Sequence, residues 1–411
     1  MRDVLNSVRR YRMKKTLTDV QLKGKRVLMR ADFNVPLDEK RAITDDSRIV
    51  AALPSIKYIL DNGGKLILMS HLGRPKGEVK PEFCLDPVAD RLSSLLKKNV
   101  KKLDDCIGDD VEDAVANMQD GDVILLENLR FHKEEKKNDP EFAKQLASLG
   151  DIFVEDAFGT CHRAHASTVG VTQYLPSVAG FLVQKEIEYF EKVTKDPDKP
   201  FCLMLGGAKV ADKIPVIENM LDKIDFLLIG GAMAYTFLKS RLKGIGNSRV
   251  EDEMLDTVNK IFELASAKNV SVFLPTDHVV AKEVKDTARG KVVKEHIPDG
   301  WIGLDIGPET IKKYESVLKE SKTIVWNGPV GLFEMKQFSA GTRELAKFIA
   351  KLDATTVIGG GDTAAAINQL KLGSKMSHMS TGGGASLEYL EGKELPGIAA
   401  LNDKEAEKVT S

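Results

Sequence analysis

Two lysines, Lys209 and Lys213, follow the glycine pair Gly206-Gly207 at the end of the apolar run Phe201–Leu205. A short buried strand, a glycine turn and the start of a periodic segment, in that order, offer unpaired N–H groups and positive charge to an anion. The chemistry open to such a set, including Gly207, Ala208 and both lysines, is phosphate binding. Neither the P-loop spacing nor the dinucleotide fingerprint is present, and the stretch alone would also serve tight strand–helix packing beside two surface lysines. Gly230-Gly231, Gly359–Gly361 and Gly382–Gly384 likewise let main chain approach a ligand, and the last two precede expected helices. Asp362 follows one of these runs. A carboxylate among bound phosphates repels them unless a cation lies between, so Asp362 is a candidate Mg2+ contact or, equally, a plain N-cap.

A different chemistry gathers in the first half. Asp32 and Asn34, Arg48, His71 and Arg74, Arg130, and Arg163 with His162 and His165 follow or flank short apolar runs. Guanidinium forks pair bidentately with phosphate or carboxylate, so arginines delivered to one sheet edge suit a small, multiply charged anion. His132, His278, His296 and His378 read as structural.

These groups need elements that deliver them. Lys25–Met29, Lys65–Met69, Asp122–Glu127 and Ile152–Glu155 read as buried strands. Helices fall between them, one opening at Asp46 as cap with Ile49, Leu53, Ile56 and Leu60 on one face and Pro54 tolerable only near its start. The charged run at 134–140 reads as a solvated loop. Leu175–Gly180 breaks the pattern, a helix runs from Leu182 to Val193, and a proline-bounded turn follows. A second strand series comprises Phe201–Leu205, Asp225–Ile229, Val270–Leu274, Thr323–Trp326 and Thr355–Ile358, with a further segment at Lys375–Met379. Ligands of open α/β sheets sit at the carboxyl ends of strands, where the polar loops of both series lie. The expected fold is α/β: two similar-sized domains, each a parallel β-sheet flanked by helices in a Rossmann-like three-layer arrangement, joined by a hinge helix. The expected boundaries are 1–181, a helix and linker at 182–200, 201–386, and a C-terminal segment at 387–411.

With 60 basic and 61 acidic side chains, the net charge of −1 supplies no global field for nucleic acid or membrane, so any anion site is local. The 42% apolar content is that of an ordinary globular chain, and no apolar run is long enough to cross a bilayer. Four cysteines are too widely spaced for a disulfide scaffold or a zinc site and point to a reducing compartment. Residues 1–12 read as an irregular extension or the product of an upstream start; their arginines also allow an organelle-targeting peptide.

The ordered set ADFNVP (31–36), SHLGRP (70–75), LLENLRF (125–131), DAFGTCHRAHAS (156–167), GGAKVADK (206–213), IGGAMAYTF (229–237), WNGPVGLFE (326–334), GGGDT (359–363) and STGGGAS (380–386) resembles phosphoglycerate kinase in its compact bacterial form. The resemblance runs from about Met13 onward. It implies reversible Mg2+-dependent transfer of the acyl phosphate of 1,3-bisphosphoglycerate to ADP, giving 3-phosphoglycerate and ATP, by a cytoplasmic monomer of glycolysis and gluconeogenesis. By this resemblance Asp32, Asn34, Arg48, His71, Arg74, Arg130 and Arg163 bind the glycerate substrate. Gly207, Ala208, Lys209, Lys213, Gly230, Gly231, Asp305, Gly307, Asn327, Pro329 and Glu334 belong to the nucleotide side. Gly360, Gly361, Asp362 and Thr363 hold phosphates and metal, and Gly383 lies near the transfer point. The C-terminal segment is expected to return to the first domain.

Both the attacking ADP oxygen and the leaving carboxylate are ionised near neutral pH, so no general base is needed. Arg48, Lys209, Gly360 and Gly383 are the expected catalytic groups, and a thiol at Cys161 would be oxidation-sensitive if exposed. A two-domain dinucleotide-dependent oxidoreductase and a non-catalytic nucleotide-binding protein are the alternatives, set apart by a nicotinamide-binding assay and an ATP-formation assay.

Overall fold

In the first half the short apolar runs become strands β1 (Arg26–Arg30), β2 (Lys65–Met69), β3 (Lys101–Lys102), β4 (Val123–Leu125), β5 (Ile152–Glu155) and β6 (Ser177–Ala179). All pair in parallel, in the order β3-β4-β2-β1-β5-β6. The inner strands are covered on both faces, which is why they read as unbroken apolar runs. The computed structural model describes residues 13–404; the extension at 1–12 and the last part of the expected C-terminal segment, 405–411, lie outside the described residues.

The second half forms β7 (Phe201–Leu205), β8 (Phe226–Ile229), β9 (Ser271–Phe273), β10 (Asp277–Ala281), β11 (Lys291–Lys294), β12 (Ile302–Ile306), β13 (Thr323–Asn327), β14 (Thr355–Gly359) and β15 (His378–Met379). A parallel sheet runs β15-β14-β13-β7-β8-β9, with Trp326 fully buried in the core beneath it. The sequence reading did not anticipate the separate antiparallel sheet β11-β10-β12, whose strands carry mixed polar and apolar residues.

Two compact units result: one runs to Ile187 and takes up the chain again from Glu394, the other is Glu188–Lys393. The division falls inside the helix Phe181–Lys195. Residues 387–393 therefore stay with the second unit, where the helix Gly383–Leu390 continues past 386. In the first unit, Gly397 N donates to Cys161 O at 2.9 Å and Asn402 Oδ1 accepts from Ser177 N at 2.7 Å.

Local chemistry corrects several expectations. Ser177–Ala179 does not merely break the pattern; it is the edge strand of the first sheet. Asp46 does not cap the helix Ser47–Asp61, because its carboxylate is taken by Arg91 at 2.6 Å; Asp45 Oδ1 accepts from Ser47 N instead. Pro54 lies in the helix interior, and the carbonyl it strands belongs to Val50, on an exposed face where water can reach it. That helix buries Ala52, Ser55 and Ile59 with Ile49 and Ile56, so its inward face is rotated from the one expected. Residues Lys133–Lys137 form a short helix rather than a loop, because Glu135 is fully buried and accepts from Ser167 Oγ at 2.6 Å. Cys161 is buried, so the exposure that would make it oxidation-sensitive is absent.

Candidate active site

In the first unit the loops leaving β1, β2, β4 and β5 hold one another through polar side chains. Arg48 Nη1 pairs with Asp32 at 3.2 Å and donates to Asn34 O at 3.0 Å. Asn34 Oδ1 accepts from Gly73 N at 2.8 Å, and Arg130 Nη1 donates to Gly73 O at 2.8 Å. Asn128 staples the same turn, accepting from Leu72 N and donating to Leu72 O. Asp32, Asn34, Arg48 and Arg130 are thus one connected set.

His71 stands behind them, 4% exposed, with Nδ1 3.0 Å from Arg30 Nη2. Arginine can only donate, so Nδ1 is an acceptor and the neutral ring carries its proton on Nε2. Burial, then Arg30, Arg130 and Arg48, holds the imidazole well below its usual range; His71 is an uncharged N–H donor. Arg30 also donates to Ala31 O and, from Nε, to Ser167 Oγ at 2.9 Å. Ser167 Oγ in turn donates to buried Glu135. Sequence reasoning missed this buried support. A charged side chain ending an apolar strand is the signal that could have found Arg30.

Arg130 is half-buried, and desolvation with neighbouring Arg30 and Arg163 brings its guanidinium down to about 10. Among the described residues its buried Nε has no hydrogen-bond partner. Crowded cations with an unspent buried donor fit an anionic ligand. Arg163 is exposed, its Nε donating to His162 Nε2 at 3.0 Å. His165 is held down to about 3 by burial and the same arginines, so it too is neutral. Arg74 is exposed beside Gly73 and is not tied into the connected set by any described contact.

In the second unit, the loops leaving β7, β8, β13 and β14 interlock. Gly206 N donates to Asn327 O at 3.0 Å, Gly207 N to Pro329 O at 2.9 Å, and Gly231 N to Val330 O at 2.9 Å. A side chain on Gly206 would strike Pro329 O at 2.2 Å, so that glycine serves loop-on-loop packing rather than ligand approach. Gly207 and Gly361 instead have open space where a side chain would stand. Lys209 and Ala208 are exposed in the turn, and the helix begins only at Ile214, later than the spacing of the lysines suggests.

Lys213 is buried and donates to Asn327 Oδ1, while Asn327 Nδ2 is buried with no hydrogen-bond partner among the described residues. Desolvation pulls the Lys213 ammonium down to about 8, against the opposing pull of Asp212, Glu391 and Asp362. Two helices, Gly361–Gln369 and Gly383–Leu390, start at this point: a Cβ on Gly383 would lie 3.5 Å from Gly361 N. Converging helix N-termini, a buried ammonium and an orphaned amide donor form a phosphate-directed cradle. Asp362 is exposed at its mouth, a hard oxygen donor of the kind a small divalent cation shares with phosphates.

Other expected nucleotide residues are placed differently. Asp305 is 1% exposed and its carboxylate accepts from Gly341 N at 2.8 Å and Ile306 N at 2.9 Å, with burial pushing it up to about 7. It braces a loop and offers no free carboxylate. Thr363 Oγ1 accepts from Gly328 N at 2.8 Å in the interior, so the hydroxyl is engaged within the protein. Gly307 caps the helix Pro308–Glu320 against Asp277, and Glu334 is exposed.

A sequence profile described as phosphoglycerate kinase matches residues 17–393. Phosphoglycerate kinase of Moorella thermoacetica is 55% identical over 392 residues, covering 95% of this chain and 100% of that protein. That of Thermosipho africanus is 57% identical over 396 residues, covering 95% and 98%. The solved phosphoglycerate kinase of Coxiella burnetii superposes with a TM-score of 0.84 at 42% identity, covering 94% of this chain and 98% of that one. The Pyrococcus horikoshii enzyme gives 0.83 at 33% identity, with the same coverage. These matches do not favour an oxidoreductase or a non-catalytic binding protein. Over nearly its whole length the chain belongs to the phosphoglycerate kinase family, and it is a phosphotransferase of glycolysis.

Proposed function

We propose that the chain transfers the acyl phosphate of 1,3-bisphosphoglycerate to ADP reversibly and with Mg2+, giving 3-phosphoglycerate and ATP. The observation that carries the reading is the orphaned Asn327 amide and buried Lys213 at two converging helix N-termini, in a chain whose other unit gathers arginines around a neutral histidine. One cradle suits nucleotide phosphates, the other a small polyanion.

Arg130, Arg163 and Arg74 hold the non-reacting 3-phosphate. Asp32, Asn34 and the Nε2–H of His71 orient the glycerate. Arg48 and Lys209 clamp the equatorial oxygens of the moving phosphoryl group, with the main-chain N–H groups of Gly360 and Gly383. Lys213 and Asn327 neutralise and orient the nucleotide phosphates, beside the open main chain at Gly207, Ala208 and Gly361. Gly230, Gly231, Pro329, Asp305, Gly307 and Thr363 act by shaping these loops, and Glu334 reaches the ribose. Asp362 is the residue that would hold Mg2+, which when bound neutralises phosphate charge. Since both reacting oxygens are already ionised, no residue has to abstract a proton.

The two sets must meet while water is excluded, so closure about the helix Phe181–Lys195 completes the site. The chain acts as a monomer in the cytoplasm; four free thiols accord with a reducing compartment. A coupled assay of ATP formation from 1,3-bisphosphoglycerate and ADP tests the reading, and no ADP-dependent turnover would overturn it. Solution scattering with both substrates should show a more compact particle, and sedimentation a single-chain mass.

A further inference from the structure

We propose that Asp105, Cys106 and His132 form a transition-metal site of the Zn2+ or Co2+ class on the first unit. The Asp105 carboxylate, the Cys106 sulfur and a His132 ring nitrogen all lie within 4.8 Å of one another, although they come from segments far apart in sequence. Asp105 Oδ1 sits 2.7 Å from His132 Nε2 and also accepts from Cys106 N at 2.6 Å, so one turn presents both of its side chains to the histidine. The His132 ring is packed against Phe142, with centroids 5.1 Å apart.

The donor chemistry decides what would bind. One nitrogen, one oxygen and one sulfur make a borderline-soft set, right for Zn2+ or Co2+ and wrong for Mg2+ or Ca2+. In a tetrahedral site such atoms lie about 3.3–3.8 Å apart, given metal–ligand bonds of roughly 2.0–2.3 Å. The three donors already lie within 4.8 Å of one another, and reaching that spacing requires the 2.7 Å contact between Asp105 and His132 to open. Cys106 is buried at the floor, whereas the Asp105 and His132 side chains are 52% and 26% exposed, so an ion enters from solvent and keeps an open fourth position for water. Binding releases the Cys106 thiol proton, and His132 coordinates as a neutral imidazole through Nε2 with its ring proton on Nδ1. Zn2+ with one thiolate and one carboxylate is then a neutral unit, as a half-buried site requires.

A second cluster, Cys84, Asp86 and Glu127, shows what a filled case looks like. There Lys102 lies 2.6 Å from Glu127 and 3.6 Å from Asp86 and already supplies the cation. Among the described residues no lysine or arginine pairs with Asp105. Occupancy would also reach the substrate loop. Glu127 N donates to Asp105 O at 3.2 Å, and His132 N closes onto Leu129 O at 3.2 Å around the turn that carries Arg130.

The test is Co2+ titration of the full chain without nucleotide. One equivalent should give tetrahedral ligand-field bands and a thiolate-to-cobalt charge-transfer band, both removed by Zn2+, with a rise in thermal midpoint. Cys106→Ser should abolish the charge-transfer band. Because Cys106 is buried, His132→Asn at the half-exposed rim is the second variant: it should fold, keep its metal-free turnover, and lose both the bands and the metal-dependent rise. Absence of a charge-transfer band in the native chain, or its survival in either variant, overturns the proposal.

Discussion

Arg30 donates from Nη2 to His71 Nδ1 across 3.0 Å, and both residues are buried, with Arg48 of the helix Ser47–Asp61 and Arg130 of the turn after β4 close enough to act on the imidazole. The contact sets which ring nitrogen holds the proton, and the arginine's charge helps keep the ring neutral. Arg30→Met should therefore let both tautomers populate and move the imidazole up toward its ordinary range. Loss of one oriented hydrogen bond, about 1.4 kcal/mol, should raise the KM for 3-phosphoglycerate roughly tenfold. Ring 15N shifts of His71 check the cause, and Arg30→Gln, which keeps a donor, should restore the tautomer. An unchanged Nε2–H form in a folded Arg30→Met variant rules the account out.

Arg48 is only loosely engaged at rest, by Asp32 and the Asn34 carbonyl, and its side chain is 40% exposed. A group free to turn toward the reacting phosphate should matter more in the transition state than in the ground state. Arg48→Ala is expected to lower kcat by roughly a hundredfold or more while leaving the KM for ADP nearly unchanged, as for removal of a positioned charge donor. Steady-state kinetics over both substrates decide it; near-native turnover would remove Arg48 from the chemistry.

The inner strands and the arginine-bearing loops were legible because both are local signals: apolar runs, and charges placed just after them. Lys65–Met69, Ile152–Glu155 and Phe201–Leu205 have the very bounds expected from their composition. What failed was long-range. Asp46 looked like a cap until Arg91, forty-five residues away, took its carboxylate. Glu135 sits in a charge run that reads as solvated, and its partners Ser167 and His165 come from a segment about thirty residues on. Asp305 could not be told from a ligand-facing acid before Gly341 was seen to hold it. Cys106 and His132 were passed over because their spacing fits no linear metal motif, and only the fold brings them together.

Lys213 gives the nucleotide side a pH signature. Its ammonium titrates at about 8 in the free protein, so it is charged below that pH and neutral above it. Because kcat/KM reports the free enzyme, kcat/KM for ADP should fall as pH rises through about 8, well below where an ordinary lysine would lose its proton. Lys213→Met should be slow and lack this limb. A native profile flat to about pH 10 would show that the Lys213 charge is not used.

Asp362 is exposed and its carboxylate is not needed to hold the helix start, which has no side-chain cap. Its removal should spare stability and weaken only the use of metal. Asp362→Ala is expected to raise the Mg2+ concentration for half-maximal rate by roughly tenfold, with the thermal midpoint within about a degree of native, as for a surface change. A large loss of stability with unaltered Mg2+ dependence would make it structural.

Asp156 accepts from Leu182 N at 2.9 Å and Val183 N at 3.3 Å, holding the start of the helix Phe181–Lys195. Burial raises its carboxyl from 3.8 to about 7, outweighing the hydrogen bonds from Ser55, Val183 and Leu182. Between those values the folded state keeps a proton that the unfolded state has released. This group's contribution to stability therefore declines as pH rises through that window, by up to about 4 kcal/mol once pH exceeds 7. Asp156→Asn keeps an acceptor for both N–H groups and has nothing to ionise. The variant should match the native protein in thermal midpoint near about pH 4 and exceed it near about pH 8, with the gap opening between. Equal midpoints at both ends would mean that the carboxyl ionises in the fold as readily as in water.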